Sequence, residues 1–231
     1  MTEATSLPTF ESLSAALLEV RVVVFSLREN RLQVLLRCAE EQSVSGRWEL
    51  PGDVLPAGLS LEDAASQCLT KHTDFSQSYL EQLYTYGELG RHPAGRLISV
   101  VYFAIIPADA LPCCPQGLPR VAWFAVDHLP ELVYDHAEIL QYALRRLRYK
   151  LEYTALGFEL LPDAFSLSEL QHTYEIILGE KLDKRNFRRR ILEAGVIEPT
   201  EQIRAGEGRP ARLYRYRPDA VAEVKARRLF P

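Results

Sequence analysis

The chain has 231 residues, 47% of them hydrophobic and 25% charged, a globular composition that excludes a disordered, collagen-like or low-complexity protein. Its net charge of −4 is unevenly spread: residues 1–153 carry 13 basic and 19 acidic side chains, residues 154–231 carry 14 and 12, and residues 181–217 alone carry 11 and 5. An acidic body with a basic patch near one end has the charge pattern of an anion-binding module.

In chain order, Leu17–Leu27 is rich in valine and predicts a strand, with Leu32–Leu36 as its hairpin partner. A polar loop, Cys38–Gly46, leads into Arg47-Trp48-Glu49-Leu50-Pro51-Gly52. Ser60 caps a helix through about Thr73, with Leu61, Ala64, Ala65, Cys68 and Leu69 as its apolar stripe and Asp63 as the acid of a short capping box. Strands follow at Tyr79–Glu88, Leu97–Ile106 and Val121–Val126, then an amphipathic helix from His136 to Tyr149. His136 and Glu138 are read as helix-start residues, not as a catalytic pair.

Beyond Glu152 the texture changes. Ser166 and Glu169 form S-x-x-E ahead of an apolar run that Gly179 ends, and Asp183 caps a second helix that Gly195 ends. Val196–Arg204, a glycine-containing tip and Ala211–Arg217 complete a hairpin. Two short helices and a basic hairpin amount to a winged helix-turn-helix, and the boundary falls near residues 153–157. The longest apolar stretch, Leu97–Pro107, is broken by Ser99 and is far shorter than the roughly 20 residues that span a bilayer. Met1–Phe10 lacks a basic-then-apolar leader, so a soluble cytoplasmic protein with no membrane contact is expected. The cysteines, Cys38, Cys68, Cys113 and Cys114, contain no C-x-x-C and are expected as reduced thiols.

Trp48–Phe75 resembles the Nudix box, G-x5-E-x7-R-E-U-x-E-E-x-G-U with U a bulky aliphatic. The frame is present, but Asp53 stands at the first glycine, Leu59 at the first glutamate, Gln67 at the arginine and Cys68 at the next glutamate. Lys71 and His72 fill the last two glutamate positions, and Asp74 the second glycine. Nudix chemistry holds divalent cations on these carboxylates, against a substrate diphosphate. Without them, no Mg²⁺, no metal site and no catalytic residue are expected. Lys71 and His72 are the candidates to supply positive charge in the cation's place. Trp48 is a candidate to stack a base, and Arg37, Arg47 and Arg96 to meet phosphates. The sequence does not choose among these arginines.

In the second tail helix, steps of about 100° put Phe187 and Ile191 on a core side and Arg185, Asn186 and Arg189 opposite, flanked by Arg190 and Lys184. Arginine matches guanine edges and asparagine adenine edges in the major groove. Arg209 and Arg212 at the hairpin tip are placed for phosphate or minor groove. The candidate DNA-binding set is Lys184, Arg185, Asn186, Arg188, Arg189, Arg209 and Arg212.

Five segments, Asp135–Leu140, Lys150–Thr154, Phe165–Gln171, Leu182–Arg189 and Gly208–Tyr214, closely resemble the Nudix-related transcriptional regulators of the NrtR family. The resemblance implies an α/β fold, a Nudix-like α/β/α sandwich over residues 1–153 followed by a winged helix over 154–231. It further implies a homodimeric repressor of NAD-metabolism genes, which senses ADP-ribose or a related nucleotide or phosphosugar and reads a palindromic duplex operator. The alternative is a Nudix pyrophosphohydrolase with an accessory winged helix. It requires acids elsewhere, such as Glu81, Glu88 or Asp135, to rebuild a metal site. A third reading makes the winged helix a protein–protein module.

Overall fold

The structure is a computed structural model that describes residues 16–39, 44, 46–73, 75, 79–93, 95–108, 121–153, 155–204 and 210–217. Met1–Phe10, Asp74, Cys113, Cys114 and Arg209 lie outside the described residues.

The first unit is built on one seven-stranded sheet with central order β3-β2-β1-β6-β5, in which β4 also pairs β1 and β7 also pairs β2. Its elements are β1 (Leu17–Arg28), β2 (Arg31–Cys38), β3 (Trp48–Glu49), β4 (Gly52–Val54), α1 (Leu61–Thr73), β5 (Tyr79–Tyr86), β6 (Leu97–Ile106), β7 (Val121–Ala125) and α2 (His136–Tyr153). The predicted β1–β2 hairpin is formed, with Phe25 opposite Val34. β1 and β6 run parallel, a pairing between distant segments that strand patterns do not reveal.

Side-chain alternation along the strands decides which layer each face meets. Val20, Val22 and Val24 of β1, with Val100, Tyr102 and Ala104 of β6, face α1. Val23 and Phe25, with Val101, Phe103 and Ile105, face the opposite layer, where α2 packs through Ile139, Leu140, Ala143 and Leu147. This is the expected α/β/α sandwich. α2 runs on to Tyr153, one turn beyond the expected Tyr149.

A 3-10 turn (Ala155–Leu160) leads into β8 (Phe165–Ser166), α3 (Leu167–Leu178), α4 (Lys184–Glu193), β9 (Ile197–Arg204) and β10 (Ala211–Tyr216). β10 lies between β8 and β9 in a three-stranded sheet, giving the winged helix. At the start of α3 the Ser166–Glu169 capping box is complete. The Ser60–Asp63 pair at α1 is only half of one. Ser60 Oγ accepts from the Asp63 amide, but the Asp63 carboxylate takes the Ser60 hydroxyl instead of its amide.

The two units share one core. Leu156, Phe158 and Leu160 of the 3-10 turn join the α2 layer to Tyr174, Phe187 and Ile191 of the winged helix. A Cβ at Gly157 would stand 2.7 Å from the Tyr174 ring and 2.9 Å from Leu151, so only glycine lets α2 and α3 close on the turn. Arg148 of α2 donates to the Ile177 carbonyl of α3 at 2.8 Å.

Candidate functional site

A charged chain crosses the end of the sheet beside the degenerate box. Arg21 donates to Glu19 at 2.9 Å, to Glu49 at 3.0 Å and to the Leu50 carbonyl at 2.8 Å. Arg37 reaches Glu49 at 2.7 Å and Asp53 at 3.4 Å, and Lys71 closes on the other Asp53 oxygen at 3.1 Å. In the other direction Ser99 donates to Glu19, and Arg91 donates to Ser99 and, bidentately at 2.8 and 2.9 Å, to Asp135. Gly52 makes the start of the chain possible, since a Cβ there would lie 2.5 Å from Arg21 Cδ. Burial alone would raise the Glu19 carboxyl, but Arg21 and Ser99 hold it below its ordinary range.

A cavity of about 270 Å³ lies against this chain, lined by Val20, Asp53, Leu59, Gln67, Cys68 and Lys71. The residues do not fit the divalent cation of the Nudix fold. Both Asp53 oxygens are taken by cations, burial pushes the Cys68 thiol up to about 12, and Lys71 places an ammonium where a carboxylate would be needed. Among the described residues no group of three or more His, Cys, Asp or Glu is placed to hold a metal ion. Of the acids invoked for a rebuilt site, Glu81 is paired with Lys150 and Arg146, and Asp135 with Arg91.

The structure brings together only Arg37 and Lys71 among the ligand candidates. Arg37 is buried and its charge is matched by Glu49 and Asp53. Lys71 is half exposed at the cavity. His72 is a correction: it is buried, and its Nδ1–H is turned onto the Cys68 carbonyl at 2.8 Å, so it presents no charge to a ligand. Arg47 pairs with Glu131 at 2.9 Å, and Trp48 sets its ring edge-on to Phe124 at 4.6 Å. Arg96 stands at the start of β6 and donates to the Gly87 carbonyl.

Both buried histidines are held neutral. Burial lowers the His72 pKa below its ordinary 6.5, with Arg37 and Lys71 adding to the effect. His136 lies well below that value, first through burial and then through Arg21 and Arg91, and its Nδ1 accepts from the Leu50 amide at 3.1 Å. The unfolded chain therefore binds protons that the folded one refuses, so stability is full above the ordinary 6.5 and falls as pH drops below it. The melting temperature is expected to fall between about pH 7 and about pH 5, before the carboxylates titrate. A His72→Gln, His136→Gln double variant should flatten that decline. An unchanged slope would disprove the assignment.

In the winged helix, Asp183 caps α4 by accepting from the Asn186 amide at 2.7 Å, and Phe187 and Ile191 are buried as expected. Lys184 and Arg185 are exposed and have no side-chain partner among the described residues. Arg189 is exposed, pairing with Glu193 at 3.1 Å and with Asn186 Oδ1 at 2.9 Å. Arg190 Nε shares that same oxygen at 3.3 Å, so the asparagine orients arginines on this face. Arg188 is half-buried and ties α4 to α3 through Ser168 at 3.0 Å. Arg212 is exposed on β10. Arg204 of β9 pairs with Glu169 of the capping box, which fixes the wing to the start of α3.

Sequence reasoning missed Glu19, Arg21, Ser99 and Arg91 as members of the site. The available signal was a glutamate and an arginine inside the valine-rich first strand.

A family model, the NrtR DNA-binding winged helix domain, matches residues 157–216. Over 204 residues the chain is 38% identical to the ADPR responsive transcriptional repressor NtrR of Acinetobacter baylyi, covering 87% of this chain and 82% of that relative. The crystal structure of Shewanella oneidensis NrtR with a 27mer DNA matches with a TM-score of 0.79 at 32% identity, over 89% of this chain and 95% of that one. The NUDIX domain of the same Shewanella protein in complex with ADP ribose matches with a TM-score of 0.52 at 29% identity, over 64% of this chain and 99% of that one.

Proposed function

Because this chain belongs to the NrtR family, we propose that it is a DNA-binding repressor whose first unit, residues 1–153, senses ADP-ribose without hydrolysing it. Residues 154–231 form the reader, which works as a homodimer on a palindromic duplex in the cytoplasm, with genes of NAD metabolism as its targets. The observation that carries this reading is the exposed basic face of α4, where Lys184 and Arg185 stand without internal partners among the described residues. In the sensor, the half-exposed Lys71 is the group placed to meet a diphosphate, with the buried Arg37 able to hold Asp53 when Lys71 turns to the ligand, and Trp48, Arg47 and Arg96 remain candidates for the rest of the ligand. No Mg²⁺ is needed, because the ammonium of Lys71 stands at a position that a cation-binding carboxylate takes in the Nudix box.

Coupling has a physical route. Asp135, gripped by Arg91, directly precedes α2, and Arg148 near the other end of α2 holds α3. A ligand that binds one arrangement of this linkage better than another shifts the reader accordingly.

The test is fluorescence anisotropy of a duplex operator, selected from a random pool by the full chain, titrated with ADP-ribose in EDTA. Release of DNA without metal, with ADP-ribose recovered intact, is the expected result. Turnover on the order of 1 s⁻¹ after adding Mg²⁺ would overturn the non-catalytic sensor.

A further inference from the structure

The core stripe of α2 contains a lysine. At about 100° per residue, Lys150 projects within about 20° of both Ile139 and Ala143, which are fully buried, so its place on the helix is a core place. Its side chain is only 14% exposed. The ammonium donates to Tyr79 Oη at 2.9 Å and to Glu81, and lies 5.6 Å from the centre of the Tyr79 ring and 6.0 Å from that of Phe103. Tyr79 and Glu81 alternate onto one face of β5, and the Tyr79 hydroxyl also donates to Glu81, which closes a triangle of bonds between helix and sheet. Arg146, one turn earlier, reaches the other Glu81 oxygen at 3.6 Å. Burial alone would raise the Glu81 carboxyl, but Lys150 and Tyr79 hold it below its ordinary range, so the carboxylate is charged.

Stability alone does not call for a lysine here. A leucine or methionine would fill the place without desolvating a charge, and such exchanges of a buried ion pair are often neutral or stabilising. What the ammonium adds is register. Apolar contacts tolerate sliding, whereas a cation that must meet one phenol and one carboxylate has a single seat. The next residue carries that register onward: Leu151 is fully buried and stands 2.9 Å from where a Gly157 Cβ would be, beside the Tyr174 ring of α3. Arg148 grips α3 from the same turns through the Ile177 carbonyl, so the end of α2 is held by both units. We propose that Lys150 is a positioning residue, seated on Tyr79 and Glu81, that locks the end of α2 to the sensor sheet so that a shift begun at Asp135 reaches the reader through Leu151 and Tyr174. The proposal rests on the ADP-ribose-responsive repressor reading and names the contact that its coupling requires.

Operator anisotropy with and without saturating ADP-ribose, on the full chain, Lys150→Met, Glu81→Gln and the double variant, tests it. The quantity read is the ratio of operator affinities in the two conditions. Either single variant is expected to reduce that ratio by at least about fivefold, while ADP-ribose affinity, measured by calorimetry in EDTA, stays within about threefold of the parent. The double variant should lose no more than the more affected single, because both act through one contact. Glu81→Gln is isosteric at a side chain 30% exposed, and it carries the test alone if Lys150→Met fails to fold. A parent whose operator affinity ignores ADP-ribose would sink the repressor reading and this proposal with it. A responsive parent with equally responsive variants would sink only the role of Lys150. Variants that lose ADP-ribose binding would make the contact a structural part of the sensor, and additive losses in the double variant would overturn the shared contact.

Discussion

Arg21→Met is expected to lower the free energy of unfolding by about 3–5 kcal/mol, the usual cost of removing one partner from a buried ion pair. Its guanidinium meets two carboxylates and a carbonyl, and the side chains of Arg21, Glu19 and Glu49 are respectively 11%, 5% and 10% exposed. Methionine fills most of the volume but leaves Glu19 with only the Ser99 hydroxyl among its described near partners, while Glu49 keeps Arg37. The cost is therefore desolvation that has lost its compensation, not lost packing. Adding Glu19→Gln removes the stranded charge and should recover a substantial part of the loss. Urea unfolding of the two variants measures both effects. A change below about 1 kcal/mol for Arg21→Met would place the pair in the range of surface ion pairs and would mean that water reaches it.

Arg185→Ala should cost about 1–3 kcal/mol on a selected operator and relax its sequence preference, because an unpartnered guanidinium on the exposed face of α4 is free to engage a base edge. The structure changes what is expected of Asn186. Its oxygen is held by Arg189 and Arg190, so Asn186→Ala should act by releasing two arginines from their orientation, weakening the operator while leaving random duplex little affected. Arg212→Ala, at the wing, should weaken binding to all duplexes alike and reduce the salt slope by about one. Salt titrations on operator and scrambled DNA separate these outcomes. If Arg185→Ala and Arg212→Ala both leave affinity unchanged, the basic face is only solvated surface and the repressor reading loses its main support.

Much of this molecule was legible locally. The strands followed from valine-rich and apolar runs, and the caps at Ser166 and Asp183, together with the burial of Phe187 and Ile191, followed from residues three and four positions apart. Such features depend on near neighbours, so their physics is present in any short window of sequence. The half-formed cap at Ser60 marks the limit, since a shorter acid satisfied a hydroxyl where a longer one would reach an amide.

The sequence by itself determined the sandwich, the winged helix, the basic face of α4 and the loss of carboxylates from the box. Only the tertiary structure decided what the remaining charges do. Ser99 meets Glu19 across 80 positions and Arg91 meets Asp135 across 44, contacts that exist only because β6 lies parallel to β1 and the turn after β5 reaches the start of α2. His72 was a candidate cation because, like Lys71, it fills a glutamate position of the box, yet the two occupy opposite environments on the same helix. One residue of rotation, about 100°, carries a side chain from the cavity rim into the core, where a charged imidazole would be desolvated and so stays neutral. Charge type is written in the residue, but whether that charge is free, paired or suppressed depends on dielectric and partners, which are set by segments far away in the chain.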